Sequence, residues 1–318
     1  MNDGLVCCAV GEAQYAFRGA DVRQIVRVEK MRGPAGTDGR AGTLEAGGQP
    51  VPVFRLGDVL GRPGVSRASQ GDGHHIAVTG ERGDLVGWLV DRIVRTTLSE
   101  NARTAPLPAL VGLNATMWCE ALVTAGDGPV LLLSPQYLNP LAPRPVRSDV
   151  ARPFCAPAHG TAVGSSERVI LLFSTPALPY CTATRFALSA RRIAAITQPM
   201  STLAVPGCAP HVTGVAWWRN AVVPVIDFRG AGDHDDAAQR RRYLIAQCGA
   251  RLGGSLIALP VDPEIAMHRP DAADRQVVDA PCPAFAAGMF DINGETVALV
   301  DLDALLAPAQ ADAEGFPA

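Results

Sequence analysis

Lysine occurs once in these 318 residues, at Lys30; aromatic residues make up only 5% of the chain, and the formal net charge is −3. Arginine supplies nearly all the positive charge, as GC-rich codon usage would produce. A net charge of −3 gives no electrostatic footprint for nucleic acid or for an anionic membrane surface, both of which want clustered Lys and Arg. No run of 18 uncharged apolar residues occurs, so no direct insertion into a membrane is expected. The opening MNDGLVCCAVGE sets an acidic residue, and no basic stretch, ahead of its apolar run, unlike a secretory leader. A cytoplasmic protein is expected.

Signatures of catalysis are missing as well. There is no G-x-S-x-G elbow, no G-x-x-x-x-G-K-[ST] loop and no G-x-G-x-x-G after a strand. Eight cysteines fall at 7, 8, 119, 155, 181, 208, 248 and 282, none in the C-x-x-C spacing of zinc and redox sites. In a long chain that needs no staples they read as free thiols packed as small hydrophobes. His74 and His75 are adjacent, so in a strand they face opposite ways and do not share a metal. The stretch GDHDDA, 232–237, gathers His234 with three aspartates but has no second histidine at ligand spacing, and reads as a solvated loop. No enzyme, metal or cofactor is expected.

What the chain does contain is a repeat. YAFRGADVRQIV from Tyr15 aligns with FALSARRIAAIT from Phe186 at an offset of 171, matching Phe17 with Leu188, Val22 with Ile193 and Ile25 with Ile196. Pro52-Val53-Phe54 meets Pro224-Val225-Ile226 at 172, LVGWLVD ending at Asp91 meets LIALPVD ending at Asp262 at 171, and Val130 meets Val297 at 167. Four blocks in one order at nearly one spacing mark a duplicated unit.

Each copy is mostly strand. LVCCAV, PVPVF, HHIAVT, DLVGWLV and PVLLLS are short β-rich runs between Gly, Pro and Asp turns, echoed by RVILLF, AVVPVIDF, YLIAQC, SLIALPV and TVALVD. Such spacing predicts all-β sandwiches or barrels, with a helical turn ending each copy at SPQYLNPL and LDALLA. Residues 144–165, rich in Pro, Ala, Gly and Ser without periodicity, read as a linker. The expected organisation is a first module over 1–143, that linker, a second module over 166–309 and a tail over 310–318.

The stretch GVAWWRNAVVPVIDFRG, 214–230, carries the strongest candidate site. In AVVPVIDF, Val222, Pro224 and Ile226 share one face while Val223, Val225 and Asp227 share the other, so the strand belongs between two packed layers. Pro224, which cannot donate to a ladder, predicts an edge or a bulge. Asp227 and Arg229 are expected to emerge at the strand end. Spacing alone leaves two readings of Trp217, Trp218 and Arg219 open: core tryptophans with a snorkelling arginine, or the aromatic-plus-Arg company of a binding hot spot.

The ordered set Gly214-Val215, Arg219, Val222 to Phe228, Arg229, LPVD at 259–262 and TVALVD at 296–301 resembles the CheW-like module of bacterial chemosensory systems. The first repeat resembles it through YAFRGADVRQIV, PVPVFRLGDVLG, LVGWLVDRIV and GPVLLLSPQYL. The resemblance implies two tandem CheW-like modules, each a pair of small SH3-like β-barrels with a short terminal helix. It also implies a non-enzymatic scaffold, recruited to membrane receptor arrays, that binds the regulatory domain of a CheA-like histidine kinase and the cytoplasmic tip of a chemoreceptor. The partner-binding residues implied are Val215, Trp218, Arg219, Asp227 and Arg229. In the first repeat Arg219 corresponds to Gly47 and Asp227 to Arg55, so its binding edge is degenerate. The second departs too, with Pro260 and Pro263 around its VD and Ala258 in place of a glycine. The alternative is a diverged regulatory protein that sequesters or modulates a kinase or another partner outside a standard array.

Overall fold

The structure is a computed structural model and describes residues 4–32, 40–61, 74–81, 83–95, 103–125, 128–139, 169–175, 181–209, 211–228, 242–248, 254–271, 274, 278 and 285–306. The expected linker, the tail, Arg229, GDHDDA, Cys155 and Cys282 lie outside the described residues.

The chain is all-β, with two tandem modules of two sheets each. In the first module β1 (Leu5–Val10), β2 (Ala13–Arg18), β9 (Arg92–Arg95), β10 (Arg103–Pro106), β11 (Cys119–Ala125) and β12 (Gly128–Leu133) form one sheet. Its strand order is β10-β11-β12-β2-β1-β9. Between β2 and β9 the chain builds the other sheet from β3 (Val22–Arg27), β4 (Met31–Arg32), β5 (Arg40–Ala46), β6 (Gln49–Arg55), β7 (His75–Thr79) and β8 (Val86–Val90), in the order β3-β7-β8-β6-β5-β4.

The second module repeats the plan. β13 (Ile170–Phe173), β14 (Arg185–Ser189), β21 (Ile265–His268), β22 (Ala286–Ile292) and β23 (Glu295–Val300) make its first sheet. β15 (Ile193–Thr197), β16 (Thr202–Leu203), β17 (Val212–Trp218), β18 (Ala221–Ile226), β19 (Arg242–Gln247) and β20 (Leu256–Val261) make its second. The expected terminal turns are α3 (Pro135–Leu138) and α4 (Leu302–Leu305). Two further short helices, α1 (Leu56–Val59) and α2 (Leu113–Trp118), follow β6 and precede β11.

The duplication holds at the level of register. Parallel pairing puts Val53 opposite Gly87 in the first module and Val225 opposite Ala258 in the second. It puts Tyr15 opposite Leu131 and Phe186 opposite Ala298. These pairs differ by 172, 171 and 167, the offsets of the sequence repeat.

Alternation along each strand splits the apolar residues between two cores. Val51 and Val53 pack with Val26, Leu44, Ile76, Val78 and Leu89 inside one sheet, while Phe54, on the other face of β6, meets Trp88 at 6.4 Å. Trp88 also stacks on Phe17 of the other sheet at 6.5 Å, so an aromatic seam joins the two sheets of the module. Fully buried, its indole Nε1 donates to Thr79 Oγ1 at 2.7 Å, which satisfies the one polar group the ring carries. The second module fills its seam differently. Phe228 stacks on Phe285 at 4.9 Å and on Phe186 at 5.5 Å, with Phe173 beside them.

The double-faced reading of AVVPVIDF is what the structure shows. Val223 and Val225 pack with Ala216, Tyr243, Ile245 and Ala258, while Ile226 and the following Phe228 are buried on the other parity. The expectation that Pro224 marks an edge is corrected: β18 lies inside its sheet, between β20 and β17. Parallel pairing is at Val225, one residue past the proline, and in the first module it begins at Val53, one past Pro52. On its other side Pro52 lies within the antiparallel ladder, opposite Thr43 of β5, so the proline stands inside the sheet in the first module too.

The VD pairs act as ties. Asp91 N donates to the Ala9 carbonyl at 3.0 Å, and Asp91 Oδ2 accepts from Gly11 N at 2.6 Å, which holds the β1–β2 turn where Gly11 has φ 59. In the second module Asp262 N donates to the Ser174 carbonyl at 2.9 Å.

Candidate partner-binding edge

β17 and β18 are joined by a two-residue turn, Arg219-Asn220, and β5 and β6 by Gly47-Gly48. Glycine takes a left-handed conformation freely, and both turn glycines do so, at φ 61 and 78. Arg219 adopts the same conformation, φ 54, although a side chain there costs roughly 1–2 kcal/mol. Its guanidinium-bearing side chain stands exposed at the hairpin tip. Where the first repeat has the residue the geometry prefers, the second holds an arginine against that preference.

The other expected site residues fall elsewhere. Trp218 and Trp217 are half-buried, and Trp218 packs on the cluster that includes Val223, Val225 and Ala258. Val215 is fully buried and has no surface to offer. Asp227 does not emerge at the strand end: it is 7% exposed, with its backbone N donating to the His211 carbonyl at 3.3 Å. Nearby His211 has its pKa lowered by desolvation. Arg229 lies outside the described residues. Of the five, Arg219 alone is shown exposed, with half-buried Trp218 beside it.

Sequence reasoning passed over a second exposed feature. Ile25 of β3 is 37% exposed and Ile196 of β15 is 45% exposed, and the two are repeat counterparts. β3 and β15 end their sheets, each leaving one side unpaired among the described residues. Both carry a β-bulge at the same place, between Val22 and Gln24 and between Ile193 and Ala195, a device that bends an edge away from indiscriminate pairing. The Ile25–Ile196 match was visible in the sequence, but that these strands are edges is a property of topology.

Among the described residues no three His, Cys, Asp or Glu side chains are grouped to hold a metal ion, and no helix is long and apolar enough to cross a membrane. Among the described cysteines, Cys8, Cys119 and Cys248 are free thiols, and all three are buried. Burial raises the pKa of Cys119 to about 12 and of Cys248 to about 11, and moves Cys8 up further. Since the thiolate is the nucleophile, these groups are inert near neutral pH. Titration of the unfolded chain without reductant should count all eight thiols, and the folded chain at pH 8 should leave Cys8 and Cys119 unmodified. A count near zero after unfolding would contradict the free-thiol reading.

A family model for the CheW-like domain matches residues 4–139 and again 180–310. The chain belongs to the CheW-like domain family. A crystal structure of the scaffolding protein TtCheW from Thermoanaerobacter tengcongensis is similar over 43% of this chain and 88% of that chain, at 19% sequence identity and a TM-score of 0.36. No curated protein matches this chain in sequence. As CheW-like modules the two copies are unequal: the second presents an arginine at its β17–β18 turn, and the first presents two glycines at the equivalent β5–β6 turn. The Gly87-to-Ala258 difference is likewise accommodated by packing. A Cβ on Gly87 would stand 3.0 Å from methyl groups of both Ile76 and Val53, whereas Ala258 is itself part of the second module's core.

Proposed function

We propose that this chain is a non-enzymatic scaffold of a chemosensory signalling system. It couples the regulatory domain of a CheA-like histidine kinase to the cytoplasmic tip of a chemoreceptor, working in the cytoplasm at receptor arrays. The family assignment supports the class. Arg219 carries the site: an exposed arginine kept at a hairpin tip whose backbone favours glycine. Partner contact at that turn, with Trp218 as its apolar neighbour, gives the strain a use. We further propose that the modules run over 1–143 and 166–309, joined by residues 144–165, with a tail over 310–318. Binding rests on the second module's turn, and the first module's glycine turn is kept for folding.

Reconstitution tests the coupling. The purified chain should bring a CheA-like kinase regulatory domain down with sedimented receptor-tip assemblies, and neither should associate as well in its absence. A chain that binds neither component refutes the coupling role; a chain that binds the kinase domain and excludes the receptor is a modulator instead.

A further inference from the structure

The two edges left unpaired among the described residues are built alike and charged differently. The repeat offset of 171 pairs Arg23 with Ala194, Ile25 with Ile196 and Arg27 with Gln198. In the first module Arg23 stands at the bulge, exposed, its Nε donating to the Gly80 carbonyl at 3.0 Å. Exposed Arg27 follows two residues past Ile25, so the two share a face of β3. Lys30 and Arg32, exposed just beyond, extend the positive charge; the acids alongside are Glu29 and Asp21, the latter close enough to Arg23 to interact with it. No ion pair of Arg27, Lys30 or Arg32 is found among the described residues. In the second module the same positions are Ala194 on β15 and Gln198 just past its end; upstream stand exposed Arg191 and, 3.9 Å from Asp303, Arg192.

Charged residues on an edge commonly serve only to prevent self-pairing. That explanation fits β3 less well here, because β15 has the same bulge and an exposed isoleucine without a charge at either position. The cations are therefore not what this edge design requires. Resting on the reading of the chain as a partner-binding scaffold, we infer that the β3 edge takes an acidic partner strand, and that the β15 edge does not. The partner would bear carboxylates flanking an apolar side chain set on Ile25. Strand addition supplies the backbone bonds, Ile25 the apolar contact, and Arg23 and Arg27 charge-assisted bonds to the carboxylates.

The test uses the full chain and two labelled peptides of about ten residues, one alternating Glu with Val and one alternating Lys with Val, with binding read by fluorescence anisotropy. The acidic peptide should bind more tightly, and less so as salt rises from about 0.05 to about 0.5 M. Arg27→Glu should weaken it at least about tenfold. Arg27→Gln, which installs the residue of the other module, should weaken it with the fold intact by circular dichroism, and Gln198→Glu should change nothing. Hydrogen exchange should show new protection over Val22–Arg27 and none over Ile193–Thr197. Equal binding of the two peptides, indifference to both Arg27 changes, or protection at β15 would overturn the inference. Should the acidic peptide fail while the kinase domain still binds in an Arg219-dependent way, the edge inference falls and the scaffold reading stands. Should the peptide bind while kinase domain and receptor tip do not, the reverse holds.

Discussion

Arg219→Glu is expected to weaken binding of the kinase regulatory domain or the receptor tip by about a hundredfold, the equivalent of a few kcal/mol, through like-charge contact where an arginine had been matched. The melting temperature should barely move, because the side chain is exposed and such changes usually cost under about 0.5 kcal/mol. Arg55→Glu, at the first module's counterpart of Asp227, should change neither quantity by a comparable amount. Arg55 is half-buried at the end of β6, so a modest loss of stability is compatible with the account and a loss of binding is not. Titration calorimetry with the purified partner domain, paired with thermal melting of each variant, separates the two. Equal loss of binding from both substitutions would mean that both modules dock.

The second large effect is structural. Trp88→Ala should destabilise the first module by about 3–5 kcal/mol, the usual range for emptying a buried aromatic site. The ring joins the two sheets through Phe17 and Phe54, and its removal also leaves Thr79 Oγ1 without the indole donor. Trp88→Phe refills much of the volume and isolates the hydrogen-bond part, about 1–3 kcal/mol. Denaturant unfolding, with hydrogen exchange resolving β7 and β8 from the second module's strands, reads the change. A loss under about 1 kcal/mol would show that the seam is not a principal stabilising core of the module.

Much of the fold was legible because its strands are short, apolar and bounded by turn residues. LVCCAV is β1 residue for residue, and SLIALPV, YLIAQC and TVALVD each coincide with a strand to within a residue or so. The repeat did more than any single segment: its offsets carried the parallel register of both modules, and they placed Arg219 and Gly47 in equivalent turns. What stayed hidden has physical causes. β5 reads RAGTLEA, too small and mixed in side chain to show an alternation, yet it is a full partner of β6. The helices α1 and α2 are too short to establish a 3.6-residue period.

The site was legible only in part. Period-two alternation puts Asp227 with Val223 and Val225, but when both faces of a strand are apolar, parity cannot say that either face reaches solvent. Asp227 and Val215 proved buried for that reason. Pro224 misled because a lone sequence cannot show which strands flank β18 on both sides. The aromatic seams escaped the repeat comparison because the modules fill them from non-equivalent positions, Trp88 standing where the second copy has Leu259.

Arg219→Gly tests the central claim most directly, because folding and binding should respond in opposite senses. The substitution installs the first module's turn residue in the second and relieves the left-handed strain, so the chain should melt at the same temperature or higher, by up to about 1 kcal/mol of added stability. Measured on the same sample, affinity for the kinase regulatory domain or receptor tip should fall by about a hundredfold, as for Arg219→Glu. A variant that is more stable and no longer binds is the predicted result. Undiminished binding, or a chain that unfolds because Arg219 is needed by the core of its own module, would contradict it.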